Sequence, residues 1–103
     1  MKRSLVLVFV LINFLSAYSK TIKVGASESI KSIKQAIATA EPGDTVLVLP
    51  GIYKEGNMIL EKSIFLIGEG YPTLSGENKV EILTVHTTGA VIQGFRFVDT
   101  GIG

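Results

Sequence analysis

The fold of this chain is decided by one stretch, in which two turns enclose a short apolar run: Gly43-Asp44-Thr45-Val46-Leu47-Val48-Leu49-Pro50-Gly51-Ile52-Tyr53. The apolar run is too short for an ordinary buried helix, and its β-branched Val46 and Val48 favour a strand. A glycine–aspartate turn begins the stretch, and a proline–glycine pair breaks the strand at its other end. The residues that follow repeat this unit of a strand and a turn.

The repeats are loose but recognisable. The run at residues 46–49 returns at residues 64–67, an offset of 18, and again at residues 90–93, a further 26 residues on. The run at residues 58–60 returns at residues 82–84, an offset of 24. Short strands at intervals of roughly 20 to 25 residues predict the coils of a parallel β-solenoid. Which side chains of the first run point inward stays open, because nearly all of them are apolar.

A β-sandwich is the structural alternative, but it would need hairpin turns such as Asn-Gly between adjacent runs, and the sequence has none there. Before the first run, residues 21–24 alternate polar and apolar side chains, as a half-buried strand does. The apolar residues that follow have helical spacing and end at Glu41-Pro42-Gly43, with Ser27 or Ser29 as the expected N-cap. We therefore predict an amphipathic helix over residues 29–40 that covers the first coil.

The first 19 residues are organised as a secretory signal peptide. Lys2-Arg3 gives a positive start, residues 5–15 are apolar, and Ala17-Tyr18-Ser19 places small residues where a signal peptidase reads. The apolar run is too short to span about 30 Å of hydrocarbon, so we expect cleavage after Ser19 and no stable membrane span afterwards.

The other end of the chain falls in the middle of a repeat, at Asp99-Thr100-Gly101-Ile102-Gly103. Only two to three coils are present, whereas repeat arrays need about three or more units for stability. We expect residues 20–103 to be the N-terminal cap and first coils of a longer β-helix domain, truncated at the C-terminus.

Composition excludes several classes of protein. The chain has no cysteine, which rules out disulfides, cysteine-ligated zinc, iron–sulfur clusters and cysteine nucleophiles. The 10 basic and 9 acidic residues become eight basic and nine acidic once Lys2 and Arg3 leave with the signal peptide. No basic stripe remains, so we expect no nucleic acid partner.

The order of signal peptide, short strand, amphipathic helix and the stretch at residues 43–53 resembles the start of right-handed parallel β-helix proteins with the pectin lyase fold. The resemblance implies an all-β fold: the first two to three coils of a right-handed parallel β-helix with a short N-terminal capping α-helix. Many functions share this fold, so it does not choose among them.

A narrower resemblance covers nearly all of the residues after the signal peptide. It is carried by six segments, namely residues 30–37, 51–57, 66–68, 71–72, 75–77 and 92–95. They resemble the NosD family, the periplasmic accessory proteins for maturation of nitrous oxide reductase. The resemblance implies a non-catalytic protein exported to the periplasm of a Gram-negative bacterium. Its implied partners are ABC transporter subunits and nitrous oxide reductase, and its implied role is in assembly of the copper–sulfur centre, with no cofactor of its own and only an indirect involvement with copper.

His86, the only histidine, is the candidate metal ligand. Imidazole suits copper, and the thioether of Met58 could add a soft ligand. One histidine and one methionine from different coils do not make a metal site, so we expect an exposed turn histidine and a core methionine.

We predict no catalytic constellation, because the acidic residues are scattered. They fall in or beside turns, where solvated charges usually sit: Glu55, Glu61, Glu69, Glu77 and Asp99. Arg96 is the only arginine after the signal peptide, and Asp99 near it makes either part of a site or an exposed ion pair. Asp44 is expected to bond its own backbone in a turn.

The remaining patterns are read structurally. Gly51, Gly68 and Gly94 are expected to allow tight corners. The aromatic residues could form a sugar-stacking surface: Tyr53, Tyr71, Phe65, Phe95 and Phe97. The shared strand face of the last two favours a stack in the core instead. Two alternative functions stay open, a carbohydrate-active enzyme of the pectin lyase fold (a polysaccharide lyase, hydrolase or pectinesterase) and a surface or adhesive β-helix.

Overall fold

A computed structural model of the chain describes residues 18–101. Over this range the chain forms a parallel β-solenoid of about three turns with one short helix, which confirms the predicted fold class. Residues 1–17, which make up most of the expected signal peptide, lie outside the described residues. Residues 102–103 at the other end of the chain also lie outside them.

The described residues contain ten elements, in this order: β1 (Thr21–Val24), α1 (Ile33–Thr39), β2 (Thr45–Val48), β3 (Ile52–Tyr53), β4 (Met58–Leu60), β5 (Phe65–Gly68), β6 (Thr73–Ser75), β7 (Leu83–Val85), β8 (Val91–Gln93) and β9 (Arg96–Val98). The strands form three sheets, with the orders β1-β2-β5-β8 in sheet 1, β3-β6-β9 in sheet 2 and β4-β7 in sheet 3. Every pairing is parallel, so each strand lies beside its equivalent in the next coil.

The core is built from columns of inward side chains. In sheet 1, Val46 lies between Ile22 and Leu66, and all three are buried. Leu47 pairs with Ile67 on the outward face of the same sheet, where both are only partly buried. The register thus decides what the sequence left open: Val46 and Val48 point inward, and Leu47 points outward. Successive side chains of a strand point to opposite faces, so the burial of one residue determines the face of every other residue in that strand.

Two of the three predicted offsets are wrong. Val46 pairs with Leu66, twenty residues on rather than 18, and Met58 pairs with Leu83, twenty-five residues on rather than 24. The offset of 26 is correct, since Leu66 pairs with Ile92. The runs are apolar on both faces, so matching their apolar letters does not fix the register, and a slip of one residue exchanges the two faces.

The predicted helix begins too early. Residues 25–29 form a turn, and Ile30 forms an isolated parallel bridge with Val24 instead of a helical turn. Ser32 is the N-cap: its backbone is extended, and its hydroxyl accepts a hydrogen bond from the Gln35 N–H at 3.2 Å. The helix ends at Thr39, just before the predicted Pro-Gly stop, and buries Ile33, Ala36 and Ile37, as an amphipathic cap should.

One corner of the solenoid requires glycine in two successive coils. Gly68 and Gly94 lie directly against each other: a Cβ added to either would collide with the backbone carbonyl oxygen of the other. Gly94 also has a φ of +86°, a left-handed conformation that glycine adopts at little cost. The predicted corner role of these two glycines is confirmed, and its cause is the close approach of two backbones.

We predict that Gly94→Ala lowers the free energy of unfolding by about 2–4 kcal/mol, because it adds a left-handed alanine and a collision with backbone. Gly43→Ala is the matched control: its φ is +91°, but nothing lies within 4 Å of the added Cβ, so only about 1–2 kcal/mol is lost. Urea titration of the full chain measures both values. Equal losses in the two variants would show that the close approach is not a constraint.

Candidate functional site

The two candidate metal ligands lie apart. Met58 is buried, with its side chain inward from β4, whereas His86 is exposed just after β7. Because Met58 pairs with Leu83, His86 lies three residues further along the neighbouring strand, about 10 Å away at the usual rise. Within residues 18–101, no group of three or more histidine, cysteine, aspartate or glutamate side chains gathers as a metal site.

The charged residues near the last strand do not converge. Arg96 and Asp99 are both exposed, and no ion pair joins them in the part of the chain that the structure describes. The backbone carbonyl of Asp99 accepts a hydrogen bond from Asn78 at 2.7 Å, so its role there is in a turn. The acidic residues Glu61, Glu69 and Glu77 are exposed beside turns, as expected.

Glu55 departs from the expectation of a solvated turn charge. Its carboxylate lies at the start of α1 and accepts three hydrogen bonds, from Ser32 Oγ (2.9 Å), Ile33 N (2.7 Å) and Lys34 N (3.1 Å). The free N–H groups of a helix N-terminus bind a negative charge well, because the helix dipole is positive there. Glu55 therefore caps a helix that lies more than twenty residues earlier in the chain.

Lys62 caps the C-terminal end of the helix. Its ammonium donates to the carbonyl oxygens of Ile37 (3.0 Å), Ala38 (3.0 Å) and Ala40 (2.7 Å). These are the carbonyls that a helix C-terminus leaves without partners. Both contacts could have been predicted from the composition of the helix. It has no acidic residue in its first turn and no basic residue in its last, so charges that match its dipole must come from elsewhere in the chain.

Asp44 makes a third set of polar contacts and, unlike the half-buried Glu55 and Lys62, is itself buried. Its side chain accepts hydrogen bonds from the N–H of Glu41 (2.9 Å), the N–H of Lys20 (2.9 Å) and the Lys20 ammonium (2.7 Å). The Lys20 side chain is the largest cause that lowers the pKa of Asp44 to about 2, and the same contact raises the pKa of Lys20. The predicted turn bond is made to the N–H of Glu41, three residues earlier, rather than to the backbone of Asp44 itself, and the contact with Lys20 was missed.

The most exposed apolar feature of the coils is at the corner between sheets 1 and 2. Ile52 and Tyr71 are each 71% exposed, although both are large apolar side chains. They lie on neighbouring coils, since Gly70 lies against Pro50: a Cβ added to Gly70 would be 2.9 Å from the proline ring. Tyr71 has a φ of 54°, a left-handed backbone conformation that is rare for a bulky residue and carries an energetic cost.

A groove of about 440 Å³ adjoins Ile52, and its lining is Ala26, Lys31, Pro50, Gly51, Ile52 and Tyr53. The ring of Tyr53 forms a firm wall, because it is buried and its hydroxyl donates to the Leu49 carbonyl at 2.7 Å. Burial, and secondarily the charge of Glu55, raise the pKa of Tyr53, so its hydroxyl stays neutral. We call the groove together with Tyr71 the corner surface. Its apolar walls and single ammonium suit recognition of a partner rather than acid–base chemistry.

The five aromatic residues do not form one surface. Tyr53 is buried, Tyr71 is exposed at the corner, and Phe65 points outward from sheet 1. The rings of Phe95 and Phe97 are in contact, with centroids 6.2 Å apart, and Phe95 packs against the core as predicted, but Phe97 is 47% exposed. Phe97 continues the inward column of Tyr53 and Leu74, and no strand within residues 18–101 pairs beyond β9 to cover it.

The fold and these contacts define the class of the protein as a parallel β-solenoid. Its first coil is covered by a helix whose two ends are bound by Glu55 and Lys62. Comparison of the chain with known protein families, with curated proteins and with solved structures found no match. Among residues 18–101, no helix is long and apolar enough to cross a membrane.

Because of the contact between Lys20 and Asp44, the free energy of unfolding depends on pH. The pKa of Asp44 is 3.8 ordinarily and about 2 in the folded chain, so its contribution is complete above about pH 5 and is lost as the pH falls through about 2. We predict that Asp44→Asn lowers the melting temperature at pH 7 and removes this part of the acid dependence. Melting curves at pH 7, 4, 3 and 2 measure it, with Glu69→Gln as an exposed control. Parallel losses in Asp44→Asn and the native chain between pH 4 and 2 would contradict the assignment.

Proposed function

We propose that this protein is a secreted binding scaffold of the NosD type, a periplasmic accessory protein in the maturation of nitrous oxide reductase. The observation that carries the proposal is the corner surface. Ile52 and Tyr71 are largely exposed on a rigid solenoid, beside a groove of about 440 Å³. Exposed apolar side chains on a strained but well-supported backbone are typical of places where a protein binds a partner.

The segments that resemble the NosD family support this assignment by their positions. Residues 51–57 pass from the corner surface to Glu55, which caps α1, and residues 71–72 supply the exposed ring. Residues 30–37 include five of the seven residues of that helix. Three of the six segments therefore fall on the cap and on the exposed corner.

Under this proposal the chain binds proteins and takes part in copper assembly only indirectly. Its partners are the ABC transporter subunits and nitrous oxide reductase, and the contact is mainly apolar. A scaffold of this kind needs no ligand set for copper. Recognition by Ile52 and Tyr71 would instead hold the reductase near the transporter while the copper–sulfur centre is assembled.

The test is deletion of the gene in its host, followed by purification of nitrous oxide reductase and measurement of its copper and sulfide content. We predict that the deletion strain makes copper-deficient reductase and that the native gene restores it. The variant Ile52→Ser/Tyr71→Ala should restore it poorly, because the apolar contact is lost. Ile59→Ser is the matched control, since Ile59 is also exposed (53%) but lies on sheet 3.

A fully loaded reductase in the deletion strain would overturn the proposal. Neighbouring genes for an ABC ATPase, a membrane permease and a copper chaperone would support it, whereas polysaccharide-utilisation genes would contradict it. Cleavage of a polysaccharide by the purified chain would instead establish a carbohydrate-active enzyme. Adhesion of the purified chain to surfaces, together with a fully loaded reductase, would establish an adhesive β-helix.

A further inference from the structure

The cap helix has little stability of its own. It spans only seven residues, Ile33–Thr39, with no acidic residue in its first turn and no basic residue in its last. Helices shorter than about 12 residues are marginal in water, because nucleation fixes several residues for each hydrogen bond gained. Something outside the helix must therefore hold it in place.

The support comes from both sides of a single strand. Glu55 and Lys62 flank β4, and between them they make six hydrogen bonds to the two ends of α1. The two charged groups do not pair with each other: within residues 18–101 the ion pair joins Lys20 and Asp44. Each charge instead matches one end of the helix dipole, so residues on the two sides of β4 hold the two ends of the helix.

We propose that α1 and the segment 55–62 form one cooperative unit. The helix is formed only while Glu55 binds its N-terminus and Lys62 binds its C-terminus. A two-turn helix released at one end loses the contacts that fix the other, because too few internal hydrogen bonds remain to propagate it. The cap thus opens as a whole or not at all.

Opening would uncover a defined part of the core. A cavity of about 250 Å³ lies between the helix and β4, lined by Lys34, Ile37, Asn57, Met58 and Ile59. Met58 is only 1% exposed while the cap is closed. Its thioether is therefore a natural reporter of the open state, because peroxide oxidises a methionine much faster once it is accessible.

Amide hydrogen exchange on the full chain tests the proposal. Lys62→Met should speed exchange of the Ile33 and Lys34 amides at the far end of the helix, by roughly tenfold or more. Glu55→Gln should do the same at the Ala40 amide, which donates to Ala36 at 2.9 Å. Fraying confined to the mutated end of the helix would overturn the proposal.

Two matched variants and two reference amides control for other effects. Glu69→Gln and Lys79→Met remove exposed turn charges and should leave the helix amides unchanged. The amides of Leu49 and Phe65, which bond across sheet 1, should stay slow in every variant and so show that the solenoid remains folded. If Lys62→Met unfolds the whole chain, Lys62→Gln keeps a donor without the charge and gives the milder test.

Exchanging the two charges tests whether Glu55 and Lys62 stabilise the helix because each one matches the dipole at its own end. In Glu55→Lys/Lys62→Glu each charge faces the wrong end of the helix, so the cap should stay open. Peptide mapping after peroxide treatment should then find Met58 oxidised roughly tenfold or more faster than in the native chain, with Met1 mapped separately. Native protection of Met58 in the swapped variant would overturn the proposal.

Discussion

Backbone pairing between parallel strands one coil apart is the constraint on which the rest of this structure depends. Each strand takes its direction and register from the strand before it, so Ile22, Val46, Leu66 and Ile92 form one inward column. A column of this kind excludes water only if each coil lies directly on the previous one. The close contact of Gly68 with Gly94 is one result, because a side chain at that corner would force the coils apart.

The same pairing explains what the sequence could and could not predict. Short apolar runs between turns predicted the solenoid, the strands and an amphipathic cap, because these depend on local pattern. The register was mispredicted for Val46 and Met58, since apolar residues stand on both faces of those runs. The start of α1 was also missed, because the bridge between Val24 and Ile30 and the carboxylate of Glu55 act on it from outside the helix.

The candidate site shows the same limit more sharply. Glu55, Lys62 and Lys20 lie 21 to 25 residues from the groups they bind, so nothing local to them in the sequence marks their roles. The exposure and the left-handed backbone of Tyr71 were equally hidden, because a tyrosine rarely adopts that conformation. Sequence did predict that His86 and Met58 come from different coils, and the structure separates them by about 10 Å along the strands.

The unequal coils carry one more consequence, for protein engineering. Between paired positions of sheet 1, one coil uses twenty residues, from Thr45 to Phe65, and the next uses twenty-six, from Phe65 to Val91. Most of the extra length lies between Ser75 and Leu83, where Glu77, Asn78 and Lys79 are exposed, while the glycine corner stays aligned. That loop is therefore the place to graft a foreign peptide, since the solenoid already tolerates additional residues there.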